Sequence, residues 1–256
     1  MHPVLFTFTI QGHETVVGTY GLFMIAGFLL AVASSLYISG LKGYRPGEFF
    51  NYAMIIVACV IAGAFIAGFF IFLPERMARG FFNYPAALVS WGGILGGIAA
   101  AAAISLRFRE NFLHMADIIA PGCLAGMGIG RIGCFFAGCC YGIHTDSCLG
   151  ASFTDPISPA SAMRQPLVPT QLLSAAFLIL AGAVFFWIVI RNKLSGASFA
   201  ASAIVYSLFR FTIEFWRDDP RLFLFGLSDG QMFSILYFTC GIGILTYLRL
   251  KKNEQA

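Results

Sequence analysis

Residues 16–38 read VVGTYGLFMIAGFLLAVASSLYI, an apolar run with no charged side chain. A helix needs about 20 mostly apolar residues to cross the hydrocarbon core of a bilayer, so this run predicts a transmembrane helix. Six further runs of similar character follow, and together the seven predict an all-α integral membrane protein, a seven-helix bundle. The six further spans cover residues 49–72, 86–106, 112–136, 167–190, 199–216 and 232–248.

The composition excludes a soluble protein. Of the 256 residues, 59% are hydrophobic and 11% are charged, whereas soluble domains carry roughly 25% charged residues. The cations are scattered, so the net charge of +4 forms no basic stripe of the kind that binds nucleic acid. No linker or shift in composition divides the chain. We therefore expect a single transmembrane domain over residues 1–256, with a small polar loop insertion at about 137–165.

The distribution of lysine and arginine between the predicted loops indicates the orientation, because short cytoplasmic loops carry an excess of these residues. With the N-terminus outside, nine fall in inner segments and five in outer segments. This bias favours an N-out, C-in chain and places the loop at 137–165 on the outer side. The inner residues are Lys42, Arg45, Arg107, Arg109, Arg191, Lys193, Arg249, Lys251 and Lys252, and the outer residues are Arg76, Arg79, Arg164, Arg217 and Arg221.

A few charged side chains fall in the predicted spans, where each costs about 2.5–3.5 kcal/mol to insert and therefore indicates function. Asp117 and Arg131 lie in the fourth span. Arg210, Glu214 and Arg217 repeat at i, i+4 and i+7, so they share one face of the sixth helix. The pattern fits either a helix-stabilising charge network or a pocket for an anion. A phospholipid phosphate is the anion at hand, and the guanidinium fork suits it.

Four cysteines, Cys134, Cys139, Cys140 and Cys148, cluster at the predicted outer end of the fourth span. On the oxidising side of a membrane this clustering favours a disulfide, and a reduced thiol cluster is the alternative. The cluster contains no C-x-x-C pair and has only His144 nearby. Because zinc sites usually show such spacings, a metal site is a minor alternative, and we expect no metal and no cofactor.

Longer motifs connect these residues. Residues 130–142 read GRIGCFFAGCCYG after DIIAPG at 117–122, residues 210–217 read RFTIEFWR, and residues 169–172 read PTQL. With LSDGQ at 227–231 they resemble the bacterial phosphatidylglycerol–prolipoprotein diacylglyceryl transferases over nearly the whole chain. The resemblance implies a seven-helix bundle, N-out and C-in, in the bacterial inner membrane. It also implies transfer of diacylglycerol from phosphatidylglycerol to the lipobox cysteine thiol of a preprolipoprotein signal peptide, with glycerol phosphate released.

The resemblance assigns roles to individual residues. Arg131 and Arg210 are the expected catalytic residues, since they would bind and neutralise the phosphate. Glu214 would hold Arg210 in place, and Arg217 would support the outer side of the site. The expected partners are phosphatidylglycerol, the preprolipoprotein and membrane lipid, with no cofactor. The remaining expected substrate contacts are Tyr20, Gln171 and Gly133.

Four positions depart from the family pattern. Trp91 and Val168 stand where family members commonly have histidine. Cys134 replaces an asparagine, and Cys139 replaces an acidic residue. A tryptophan cannot accept a proton from a thiol, so a base must come from Glu214, a water or an unplaced group. Two alternatives stay open: a paralogue that uses the same phospholipid with a different acceptor, and a non-enzymatic lipid-binding membrane protein.

Overall fold

The computed structural model describes residues 3–10, 13–74, 77, 89–219, 223–224 and 226–254. Long helices dominate this part of the chain, and two short 3₁₀ helices, Pro159–Met163 and Glu214–Trp216, lie in its connections. The long helices are α1 (Thr19–Leu41), α2 (Pro46–Ile71), α3 (Ser90–Phe108), α4 (Phe112–Ala137), α5 (Thr170–Arg191), α6 (Ala197–Ile213) and α7 (Asp229–Glu254).

The helices match the predicted spans in order and number, with differences at their ends. The span at 112–136 agrees with α4 to within one residue, whereas α7 extends beyond the predicted span at both ends. The prediction that the first span begins at residue 16 is wrong, because residues 16–18 belong to a β-strand. Residues 214–216 form a 3₁₀ turn after α6. Residues 86–88, predicted to begin the third span, lie outside the described residues.

The helices are those of a multi-pass membrane protein. Five of them, α1, α2, α4, α5 and α7, are long and apolar enough to cross a bilayer, and the apolar stretch of α3 is shorter. Large apolar side chains point outward along them: Leu29, Phe70 and Leu180 are 65%, 65% and 66% exposed. Such surfaces are costly in water, whereas lipid tails contact them freely.

Two short β-hairpins accompany the helices, and the sequence analysis did not predict them. Strand β1 (Val4–Ile10) pairs antiparallel with β2 (His13–Gly18), directly before α1. Strand β3 (Phe223–Leu224) pairs antiparallel with β4 (Leu227–Ser228), directly before α7. Both hairpins therefore lead into the N-terminal end of a long helix.

The chain divides into two compact units, the first comprising residues 1–35 and 116–256 and the second residues 36–115. In the second unit α2 and α3 pack closely, because a β-carbon at Gly92 would collide with the carbonyl of Gly63. In the first unit α1 and α4 approach equally closely at Gly27 and Gly126. Small residues at these points allow the helix backbones to approach each other.

The first unit has an apolar centre between α4 and α5, formed by Leu124, Leu178, Ala181 and Phe185. Near it, the carboxylate of Asp117 on α4 reaches the start of α6. Asp117 Oδ2 accepts hydrogen bonds from the backbone N–H groups at positions 195 and 196, at 2.9 and 2.7 Å, and Oδ1 accepts one from position 199 at 2.7 Å. These are N–H groups that a helix start leaves without intrahelical partners, so Asp117 caps α6 and fixes the helix that carries Arg210.

Candidate active site

A tight loop follows α4 and carries two of the cysteines. Gly138 and Cys140 adopt left-handed backbone conformations, with φ of 69° and 58°, which turn the chain back on the helix end. The loop is anchored to the first turn of α5. Thr170 Oγ1 donates a hydrogen bond to the Cys140 carbonyl at 2.6 Å, and Gln171 Nε2 donates one to the Cys139 carbonyl at 2.7 Å. The backbone of the loop is therefore held at both of its cysteines.

The chain beyond this loop joins two other segments. The Gly142 N–H donates to the Val168 carbonyl at 3.0 Å, and the Ile143 N–H donates to the Trp216 carbonyl at 3.0 Å. Gly142 also forms a β-bridge with Arg217. This pairing fixes the residues after α6 beside the loop, and it brings Arg217 close enough to Cys140 for an electrostatic interaction.

Arg210, Glu214 and Arg217 form a charge network, but the prediction that they share one face of the sixth helix is wrong for Arg217, whose backbone is extended after the 3₁₀ turn at Glu214–Trp216. Glu214 is 1% exposed as a side chain, and its Oε2 accepts hydrogen bonds from Arg210 and, at 3.4 Å, from Arg217. Arg217 also donates two hydrogen bonds to Asp219, at 2.9 and 2.7 Å. Burial by itself would lower the pKa of the Arg217 guanidinium, but the hydrogen bond to Asp219 outweighs burial and raises this pKa.

Arg131 completes the cationic group from α4. Its guanidinium interacts electrostatically with Cys140, Cys134 and Tyr206, and with Arg217; Arg210 also interacts with it. Within the described part of the chain, no carboxylate forms a salt bridge with Arg131. Glu214 and Asp219 pair with Arg210 and Arg217. Among the described residues of this group, Arg131 is therefore the cation without a carboxylate partner, and such a guanidinium attracts an anion.

Three cysteines meet beside these arginines. The sulfur atoms of Cys134, Cys139 and Cys140 all lie within 4.8 Å of one another. None of the chain's cysteines, all of which are described, is in a disulfide. Of the four predicted to cluster, Cys148 is exposed and outside the group of three. Hydrogen bonds from Cys134 and Cys139, together with the charge of Arg131, lower the pKa of the Cys140 thiol against the effect of burial.

The other predicted substrate contacts lie around the same group. Tyr20, 41% exposed at the start of α1, interacts electrostatically with Cys134 and Arg131. Gly133 allows α1 and α4 to approach, because a β-carbon there would lie 2.9 Å from the side chain of Phe23. Gln171 is buried, and its Oε1 has no hydrogen-bond partner among the described residues. The structure therefore brings all three to the end of α4 that carries the cysteines.

Two contacts of the site were missed by the sequence analysis. Asp219 shares Arg217 with Glu214, although it lies beyond the predicted span. Gly230, in the first turn of α7, packs so closely that a β-carbon there would lie 2.5 Å from Arg210 Nη2 and 2.8 Å from Glu214 Oε2. The LSDGQ run before the seventh span contains this glycine and is the signal that could have identified it.

Val168 and Trp91 stand where the family commonly has histidine, and the structure describes the side chain of Val168 but not that of Trp91. Val168 contributes its backbone to the site, since its N–H donates to the Ile143 carbonyl at 2.9 Å and its carbonyl accepts from Gly142. Trp91 belongs to α3, but its side chain lies outside the described residues. Glu214, considered as a base, has its Oε2 engaged by two guanidinium groups, which favours a role in positioning arginines.

The chain matches the model of a known protein family. A model described as prolipoprotein diacylglyceryl transferase matches residues 4–247. The chain belongs to this family. It is 34% identical over 246 residues to the phosphatidylglycerol–prolipoprotein diacylglyceryl transferase 2 of Clostridium perfringens, with 93% of each chain covered.

Two further relatives extend the similarity. The phosphatidylglycerol–prolipoprotein diacylglyceryl transferase of Clostridium tetani is 30% identical over 241 residues, covering 91% of this chain and 94% of the relative. That of Geobacter sulfurreducens is 30% identical over 248 residues, covering 91% of each. The family resemblance inferred from the motifs is therefore confirmed over almost the full length.

Proposed function

We propose that this protein transfers the diacylglyceryl group of phosphatidylglycerol to a prolipoprotein in lipoprotein maturation. The observation that carries the proposal is Arg131, a cation without a carboxylate partner among the described residues, in a chain of the diacylglyceryl transferase family. The names of the relatives supply both substrates. Phosphatidylglycerol has an anionic phosphate, which is the group that the charge of Arg131 attracts.

The reaction breaks the bond between the diacylglycerol carbon and the phosphate oxygen, and it forms a thioether to the lipobox cysteine. Negative charge accumulates on the departing glycerol phosphate. Arg131 and Arg210, which interact with one another electrostatically, are proposed to neutralise that charge as it develops, the way preorganised cations stabilise transition states. Glu214 and Asp219 hold Arg210 and Arg217 in position without cancelling the charge of Arg131.

The remaining substrate contacts follow from their places around Arg131. Tyr20 lies at the exposed start of α1, and Gln171 and Gly133 line the same end of α4. We propose that these residues border the opening for lipid and peptide. We propose that the chain forms one transmembrane domain of seven spans in the bacterial inner membrane, with the N-terminus outside and the C-terminus inside. That orientation puts the site on the outer side, where secreted precursors are available.

The proposal is tested by substituting Arg131 and measuring transfer from phosphatidylglycerol to a lipobox peptide in membranes. Arg131→Ala should abolish transfer, and Arg131→Lys should retain only part of it because an ammonium group lacks the planar fork. Arg249→Ala is the matched control, since Arg249 is exposed near the end of α7 and should leave transfer unchanged. Complementation of a cell depleted of its own transferase gives the same test in vivo.

A second candidate is a paralogue that uses the same phospholipid with another acceptor. Cys134 and Cys139, which stand at polar positions of the family pattern, favour it because they alter the surroundings of the acceptor. Mass spectrometry of the lipid products separates the candidates. A lipidated product other than the lipobox peptide supports the paralogue. Unchanged lipid after prolonged incubation, with specific binding retained, supports a non-enzymatic lipid-binding protein and refutes both transferases.

A further inference from the structure

The three clustered cysteines have the geometry of a metal site that is almost formed. Their sulfur atoms all lie within 4.8 Å of one another. A tetrahedral zinc ion with Zn–S bonds of about 2.3 Å separates its sulfur ligands by about 3.8 Å. Side-chain rotations that shorten the sulfur–sulfur distances by up to about 1 Å therefore suffice for Cys134, Cys139 and Cys140 to bind one ion together. No other described histidine, cysteine or carboxylate belongs to the group, so the fourth position of such an ion is open.

The backbone around the sulfurs is already fixed, which lowers the entropic cost of binding an ion. Cys134 lies in the last turn of α4, and the Cys139 N–H donates to its carbonyl at 3.2 Å. The carbonyls of Cys139 and Cys140 accept hydrogen bonds from Gln171 and Thr170 on α5. A preorganised set of ligands held by surrounding hydrogen bonds is the arrangement that well-formed metal sites require.

The surrounding charge also suits a metal–thiolate group. Three thiolates and one Zn²⁺ together carry one negative charge. Arg131 and Arg217 both interact with Cys140, and Arg131 has no carboxylate partner within the described residues. A guanidinium beside the cluster stabilises the anionic group. Thiolates select soft or borderline ions such as zinc over magnesium or calcium, and zinc undergoes no redox change.

We propose that Cys134, Cys139 and Cys140 bind Zn²⁺, and that the ion binds the acceptor thiol of the prolipoprotein at its open position. The inference rests on the proposed function. The ion would activate the acceptor thiol, a task for which Trp91 is unsuited because a tryptophan cannot accept a proton. A thiol that coordinates zinc loses its proton, so this proton passes to solvent and the acceptor becomes a thiolate. Three protein ligands with one open position are the pattern of catalytic zinc, whereas structural zinc has four.

The transfer step then balances without a further reactant. The zinc-bound thiolate sulfur attacks the diacylglycerol carbon of phosphatidylglycerol and forms the S–C bond. The C–O bond to the phosphate breaks, and its electron pair leaves on the oxygen of glycerol phosphate, near Arg131. The thioether product is neutral and a weaker zinc ligand than a thiolate, so it dissociates and the ion remains on the three cysteines.

The experiment uses the full chain, purified in detergent under reducing, anaerobic conditions. Elemental analysis should find stoichiometric zinc, and replacement by Co²⁺ should give the intense charge-transfer absorption of cobalt thiolates. Cys134→Ser, Cys139→Ser and Cys140→Ser should each weaken metal binding by about tenfold or more. Cys148→Ser is the matched control, because Cys148 is exposed and outside the group, and it should retain the metal.

The cobalt spectrum of the unsubstituted protein does not depend on any variant folding correctly. Transfer by a protein that contains no zinc and shows no cobalt–thiolate absorption overturns the inference and leaves the proposed function standing. Stoichiometric copper in place of zinc also overturns it. Bound zinc with no transfer to any lipobox peptide overturns the proposed function and, with it, the activation of the acceptor. Transfer that is lost on chelation and restored by zinc supports both.

Discussion

The cap that Asp117 provides for α6 allows a stability effect to be calculated. Three backbone N–H groups donate to its carboxylate, at 2.7 to 2.9 Å, and Asp117 is 1% exposed. Asp117→Asn preserves the shape but replaces one oxygen with a nitrogen that cannot accept. At least one N–H is then left unsatisfied, at about 1–3 kcal/mol, and loss of the charge at the helix start costs about 0.3–1 kcal/mol more. We expect the free energy of unfolding to fall by about 1–4 kcal/mol.

The assay is reversible unfolding in mixed micelles with increasing denaturing detergent. Asp146→Asn is the control, because the Asp146 side chain is 98% exposed and surface changes usually stay within about 0.5 kcal/mol. Asp117→Ala should cost more than Asp117→Asn, since it removes every acceptor. Should Asp117→Asn match the control, the carboxylate is not what stabilises the start of α6, and the reasoning fails.

Two glycine substitutions give further tests. Gly230→Ala places a methyl group 2.5 Å from Arg210 Nη2, so the rate of transfer should fall by about tenfold to a hundredfold because the guanidinium is displaced. Gly243→Ala is the control, since its methyl group meets nothing within 4 Å and should leave the rate unchanged. Equal rates for the two variants would contradict the contact between Gly230 and Arg210. Gly126→Ala should lower the free energy of unfolding by about 1–3 kcal/mol, because the added methyl group overpacks against α1. Gly40→Ala, whose methyl group would meet nothing within 4 Å, should leave the free energy of unfolding unchanged. A Gly126→Ala variant as stable as the unsubstituted protein would contradict the close approach of α1 and α4.

Features that depend on local periodicity were predictable from the sequence. Apolar runs located the seven long helices in order, and five of these helices are long and apolar enough to cross a bilayer. The spacing of Arg210, Glu214 and Arg217 predicted a charge network, and both ion pairs are present, although Arg217 lies beyond the end of α6.

Features that depend on the chain returning from a distance were not predictable. Asp117 and the start of α6 are separated by about eighty residues, and only the packing of α4 shows that this aspartate is a cap. Asp219 reaches Arg217 because the chain leaves helical geometry after Trp216. The four cysteines looked equivalent in sequence, but the turn at Gly138 and Cys140 brings two of them back onto Cys134 and leaves Cys148 outside.

The left-handed backbone at Cys140 has a consequence for how this loop is built. A residue with a β-carbon at a φ of 58° loses about 1 kcal/mol or more relative to glycine, which adopts that conformation freely. Glycine would give a more stable turn but no sulfur next to Arg131. The turn thus loses local stability and places the Cys140 sulfur beside Arg131, and a search for stabilising substitutions that optimised the backbone alone would replace this cysteine first.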